Sequence, residues 1–140
     1  MKEYHFYGSA AAVTDERGLT PRDYYDLLLS CWCADTCAPR MRENWSPENP
    51  TLGQCSVTAF LVQDFFGGQV RGVPLPDGNF HCFNVVSGQT FDLTSEQFGD
   101  KKLDYENCPE QLRSVHFMKE EKRLRCELLR EKLLSRLNTP

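Results

Sequence analysis

Cys55, His81 and Asp92 bring a thiol, an imidazole and a carboxylate into one chain in the order expected of a cysteine-nucleophile site. A cysteine attacks as its thiolate. A neighbouring imidazole takes the thiol proton and later gives it to the leaving group. A carboxylate orients the imidazole and stabilises its charged form. Cys55 also stands where a helix should begin. Pro50 and Gly53 break regular structure ahead of it, and an apolar run free of Pro and Gly follows until Gly67-Gly68. A thiol in the first turn of a helix faces unpaired backbone N–H groups and the positive end of the helix dipole, which favour the thiolate.

The nucleophile therefore needs a helix over Cys55 to about Phe66. Val57, Ala59, Phe60, Leu61, Val62, Phe65 and Phe66 leave it little polar surface, so it should be buried nearly all round. His81 and Asp92 need a hairpin. Two β-prone runs flank Ser87-Gly88, a two-residue turn signal. With those residues as the loop, Val86 pairs with Gln89 and Phe83 with Asp92. Alternation then places His81, Phe83, Val85, Thr90, Asp92 and Thr94 on one face, with His81 and Asp92 as diagonal neighbours. A slip of one residue would separate them. Asn84 falls on the opposite face, where it suits a structural hydrogen bond.

Other residues compete for roles. The backbone N–H of Cys55 is the first candidate to hold a developing oxyanion, and the Gln54 amide or the Trp45 indole N–H are candidates for a second donor. Cys31, Cys33 and Cys37 form a C-x-C-x3-C cluster without a nearby His. Structural zinc usually takes four ligands, so the cluster does not itself specify a metal, and the pattern calls for no cofactor. Cys31 reads as a core residue, and Cys82, Cys108 and Cys126 as small buried apolar groups. His5 reads as packed or exposed, His116 as structural, and Asp64 as a cap or an arginine partner. In the non-catalytic alternative, Cys55 is an inert buried thiol and His81–Asp92 an incidental strand pair.

The 140 residues suit a single domain, with 1–19 as a possible flexible leader in which Tyr4 to Tyr7 is a short strand. The first helix starts at Thr20-Pro21, with Thr20 as its cap, and runs toward Cys33 with Tyr24, Leu27, Leu28, Cys31 and Trp32 on one face. Residues 34–54 form a long irregular segment. A strand follows at Gln69, then a turn at Asp77-Gly78. Gln111 to Phe117 reads as a last strand or extended run, and Lys119 to Leu137 as a charged helix with a Cys126, Leu129, Leu133 and Leu137 stripe. The net charge of −4 with interspersed signs argues against a nucleic-acid footprint. No apolar run approaches the ~20 residues that span a bilayer. Seven cysteines without an export signal fit a reducing, cytoplasmic setting.

Gly53-Gln54-Cys55-Ser56-Val57-Thr58-Ala59 resembles the Gly-Gln-Cys-x-x-x-Ala motif around the transglutaminase nucleophile. His81, with Asp92-Leu93-Thr94, is similar to the strand His and the Asp-x-Thr that follow it there. The longer pattern resembles the YunG-like family of small bacterial proteins over roughly residues 20–137. It comprises Trp45-Ser46-Pro47-Glu48-Asn49-Pro50, Gly53-Gln54-Cys55, Val62 to Gly68, His81 to Asn84 and Asp92-Leu93-Thr94. The resemblance implies a compact papain/transglutaminase-like α+β domain, with the nucleophile helix packed on a small antiparallel sheet and helices on either side. The function expected is thiol-dependent acyl chemistry on a peptide or other amide-bearing substrate: hydrolysis, deamidation or transfer through a thioester. A binding module on the same fold, or a thiol or metal sensor at Cys31, Cys33 and Cys37, are the alternatives.

Overall fold

The computed structural model describes residues 6–8 and 13–138. Its first helix, α1 (Pro21–Leu28), opens with a full capping box: Asp23 N donates to Thr20 Oγ1 at 3.2 Å, and Thr20 N donates to the Asp23 carboxylate at 2.9 Å. The helix ends earlier than its apolar spacing suggests. Beyond Leu28 the backbone tightens to i→i−3 bonds, Ser30 N to Leu27 O and Cys31 N to Leu28 O, while the Ser30 hydroxyl takes up Leu27 O. Cys31 and Trp32 are still buried, as the spacing predicts. Trp32 Nε1 donates to Thr58 Oγ1 at 2.9 Å, which ties this turn to the next helix.

The segment between the helices holds two 3-10 turns, Ala34–Thr36 and Pro39–Asn44, and then a run of turns into α2 (Cys55–Phe66). Helix α2 is buried from Ser56 through Val62 and stops at Gly67, whose φ of 74° suits only a residue without Cβ. Strands β2 (Gln69–Pro74), β3 (Phe80–Val86) and β4 (Gln89–Asp92) follow. A short β1 (Tyr7–Gly8) and β5 (Glu110–Gln111) complete a five-stranded antiparallel sheet in the order β1-β4-β3-β2-β5. The β3–β4 turn lies at Ser87-Gly88, both at positive φ, with Val86 opposite Gln89 and Asn84 opposite Phe91. That is the register the two-residue loop demands.

One expectation needs correction. The run from Gln111 to Phe117 is not one strand: after β5 it turns into a single helical turn, α3 (Arg113–His116). Arg113 accounts for the change, since its guanidinium donates to Phe60 O and pairs with Asp64 at 2.7 Å, drawing the segment onto α2. Within 1–19, residues 6–8 and 13–19 are described. Tyr7–Gly8 pairs with Asp92 and Phe91, and Phe6 packs on the Tyr25 ring. Tyr4 and His5 lie outside the described residues.

The last helix, α4 (Glu120–Leu137), buries Cys126, Leu129 and Leu133 against α1 and α2. The α2-facing side of the sheet carries Val70, Cys82 and Val86, and Asn84 Nδ2 donates to Ala59 O at 2.9 Å across that interface. Each buried aliphatic side chain in such a core contributes roughly 1.5–3 kcal/mol. By strand alternation His81, Phe83 and Val85 point to the other face, which Leu103, Tyr105 and Cys108 cover. No helix among the described residues is long and apolar enough to cross a membrane.

Candidate functional site

Asp92 closes β4 with its side chain fully buried, and all its partners are near at hand. Thr94 folds back on it, the backbone N–H and the hydroxyl donating to Oδ1 at 3.2 and 3.3 Å. The second oxygen, Oδ2, accepts from His81 Nε2 at 2.6 Å and from the Tyr105 hydroxyl at 2.7 Å. Four donors fix this carboxylate in one orientation. A buried carboxylate needs such donors, because burying a charge without partners is strongly unfavourable. Tyr105 is held in turn by the Tyr7 ring, stacked at 4.1 Å. Burial and the neighbouring Asp92 charge raise the phenol's pKa, so it stays a donor.

His81 is almost fully buried. Phe98 meets its ring edge-on at 4.7 Å and walls it off on one side. With Nε2 on Asp92, the other nitrogen, Nδ1, is buried and has no hydrogen bond of standard geometry. The imidazole and the Cys55 sulfur line the same cleft, and each favours the charged form of the other. Burial opposes protonation of the ring, but the Asp92 carboxylate outweighs it, and with the Cys55 thiolate lifts the imidazole to about 10.

Cys55 is the first residue of α2 and half-buried. Its neighbour Cys82 supplies the largest effect on it, a thiol hydrogen bond that favours the thiolate. Burial acts against this, and His81 adds a hydrogen bond and a positive charge. The net result is a thiol held well below its usual range, while Cys82 is pushed up as the protonated partner. No side chain caps α2. Its first N–H groups therefore have no partner within the helix or from a capping side chain, and Cys55 is the residue at that end. These shifts favour a thiolate–imidazolium pair backed by a carboxylate.

Cys55 and His81 open onto a cleft of about 590 Å³. One side comes from Ala38 to Met41 and Gly53, another from Leu75 and Asp77 to Phe80, and the rest from Gln97, Phe98, α3 and the start of α4. Gln97 joins two of these walls, accepting from Gly53 N at 3.2 Å and donating to Thr94 O at 3.0 Å.

Gln54 and Trp45 do not join this cleft. Gln54 is fully buried, and its amide donates to Cys33 O at 3.0 Å. The Trp45 indole donates to Pro50 O at 3.0 Å within its own loop. Both side-chain donors expected to face a substrate are bonded to backbone carbonyls instead. Cys31 sits in the core beneath α4, and Cys37 lies against Gly53. Among the described residues no group of three His, Cys, Asp or Glu side chains is gathered to hold a metal.

No sequence signal marked Tyr105, in a polar stretch, or Lys122; His116, which read as structural, lines the cleft with Lys122 and bonds to it. Phe98 and Gln97 were equally silent. Only Thr94, within Asp92-Leu93-Thr94, was marked.

The model of the YunG protein family matches residues 20–138. The chain is also similar to the Uncharacterized protein YunG of Bacillus subtilis (strain 168), with 40% identity over 65 residues. That stretch takes in 46% of this chain and 55% of the relative, so the match spans about half of the relative's length. No solved structure matches the chain.

Proposed function

This chain belongs to the YunG family, and from that premise and the site's geometry we propose that it carries out thiol-dependent acyl chemistry on an amide-bearing substrate, in the manner of papain- and transglutaminase-like enzymes. The observation that carries the reading is the position of His81. Its Nε2 is fixed by Asp92 at 2.6 Å, and its ring is coupled to the Cys55 sulfur at the start of α2.

The Cys55 thiolate attacks the carbonyl carbon of a bound amide, forming a C–S bond and placing negative charge on the oxygen. The free N–H groups at the start of α2, beginning with that of Cys55, hold this oxyanion. His81, already protonated, gives its proton to the amide nitrogen as the C–N bond breaks. The amine leaves and a thioester remains on Cys55. A water molecule or a second amine then attacks the thioester, passing its proton to His81 and releasing the thiolate. Asp92 keeps the ring aligned and stabilises its charge. Water gives hydrolysis or deamidation, and an amine gives transfer. Gln54 and Trp45 support the loops around the site rather than the oxyanion.

The test is alkylation by substoichiometric iodoacetamide at pH 6, mapped by peptide mass. The reading expects selective, fast modification of Cys55 that is lost in His81→Ala. Reaction of Cys55 at the pace of the other six thiols would remove the basis for a nucleophile.

A further inference from the structure

The wall of the cleft formed by α3 and α4 carries a charge that the acyl chemistry above does not use. The arginines that line the cleft are paired. Arg40 meets Asp77 at 3.2 Å, and Arg125 meets Glu121 at 2.8 Å while also donating to Thr36 O. Lys122 is different. Its Nζ donates to His116 Nδ1 at 2.9 Å, and among the described residues no ion pair includes Lys122 or Lys119. His116 Nε2 donates to Gln111 Oε1 at 2.9 Å, which leaves Nδ1 as the acceptor for the ammonium. The imidazole is thus neutral, kept so by burial and by the Lys122 charge, which bring it down to about 4.

Lys122 is half-buried, and only one of its three donors is engaged. Burial weighs against its charge, and the thiol groups of Cys82 and Cys55 lie near enough to act on it. A half-buried ammonium with no carboxylate partner and two free donors, in the same cleft as the Cys55 sulfur, suits an anionic ligand. His116 sets the direction of the ammonium without competing for the anion, because a neutral ring brings no charge of its own. Lys119, at the start of α4, adds a second cation to the same wall.

We propose that Lys122, aimed by His116 and assisted by Lys119, forms an anion subsite that selects acyl donors carrying a carboxylate close to the scissile carbonyl. The substrate class is an acidic peptide: the carboxylate is either an Asp or Glu side chain or a chain-terminal α-carboxylate. This deepens the acyl-chemistry reading and rests on it.

The test compares iodoacetate with iodoacetamide, two reagents of one size that differ in charge, at Cys55. The ratio of their rates falls about tenfold in Lys122→Gln and is retained in Lys122→Arg, the scale of one charge pair screened by solvent. A ratio unchanged in Lys122→Gln overturns the subsite, as does an equal loss in Lys122→Arg. Protection of the unaltered protein from iodoacetamide covers the case in which the variant does not fold. N-acetylglycine (a terminal carboxylate) or N-acetylglutamic acid α-amide (a side-chain carboxylate) protects Cys55, whichever source the site takes. N-acetylglycinamide does not, and equal protection by all three overturns the proposal. If Cys55 shows no selective alkylation, the acyl-chemistry reading fails by itself. The subsite is then read from the His116 ring resonances, which shift on titration with either carboxylate and not with the neutral amide. Absence of any shift overturns it.

Discussion

Tyr105 donates its hydroxyl proton to Asp92 Oδ2, the same oxygen that accepts from His81 Nε2. The phenol comes from a segment with no regular structure of its own, yet it completes the donor set around the buried carboxylate. Tyr105→Phe removes that donor and leaves the ring in place. The expected cost is about 1–3 kcal/mol of stability, the penalty for taking one hydrogen bond from a buried charged group. Urea unfolding of the two proteins measures it. A difference below about 0.5 kcal/mol, the usual spread for a neutral surface change, would show that the bond is not needed.

The paired shifts at the site predict an unusual pH dependence. His81 is raised from about 6.5 to about 10, and Cys55 is lowered well below its ordinary value. The raised His81 contribution is fully present below pH ~6.5 and is lost as pH rises toward its folded value. The lowered Cys55 contribution is fully present above the unfolded thiol value of ~8.5 and is lost as pH falls. Between those limits the folded pair holds one proton, on His81, and the unfolded pair also holds one, on the thiol. The two contributions cancel, so this pair adds no slope. In Cys55→Ser the thiolate's share of the His81 shift is gone, but Asp92 still raises the ring, so above pH ~6.5 the folded state keeps more of the His81 proton than the unfolded state does. Stability of Cys55→Ser should therefore fall relative to the unaltered protein as pH rises above ~6.5, with a limiting slope of about 1.4 kcal/mol per pH unit. Urea unfolding at pH 6, 7, 8 and 9 checks this. Parallel curves would show that Asp92 by itself does not hold the His81 proton.

Gly53 links the cysteine-rich segment to the start of α2. Its φ is +69°, and a Cβ there would lie 2.5 Å from Cys37 Sγ and 3.0 Å from Ala38 N. Gly53→Ala thus combines a left-handed backbone with a steric overlap and should cost about 2 kcal/mol or more. The same change should slow alkylation of Cys55, because relief of the overlap moves the residues just ahead of it. Thermal unfolding and the iodoacetamide rate together report both effects. A stable variant with unaltered alkylation would show that this loop is softer than its packing suggests.

Trp45 makes the opposite prediction. Its indole bonds to Pro50 O and does not line the cleft. Trp45→Phe should lose about 1 kcal/mol of stability, the net value of one hydrogen bond. Alkylation of Cys55, and turnover once a substrate is known, should stay within about twofold. A larger loss of turnover at unchanged stability would return the indole to the oxyanion site.

How far the sequence reached can be followed residue by residue. The start of α2 at Cys55 was legible because Pro50, Gly53 and the Gly67-Gly68 stop are local signals. The β3–β4 register was legible because a two-residue loop at Ser87-Gly88 allows one pairing, and that pairing puts His81 and Asp92 on one face. The end of α1 was not legible, since Cys31 and Trp32 keep helical spacing while the backbone tightens around Ser30. Nor was α3, which forms because Arg113 finds Phe60 O and Asp64 on α2.

What the sequence determined by itself was therefore the set of elements and the pairing of neighbouring strands, where periodicity and turn chemistry act over a few residues. Only the tertiary structure decided what stands around the thiol. It turned the amide of Gln54 and the indole of Trp45 onto backbone carbonyls, brought Tyr105 to Asp92, and set Lys122 and His116 into the wall of the Cys55 cleft. Those placements depend on how segments far apart in the chain pack and which buried polar groups they satisfy, and no local spacing encodes that.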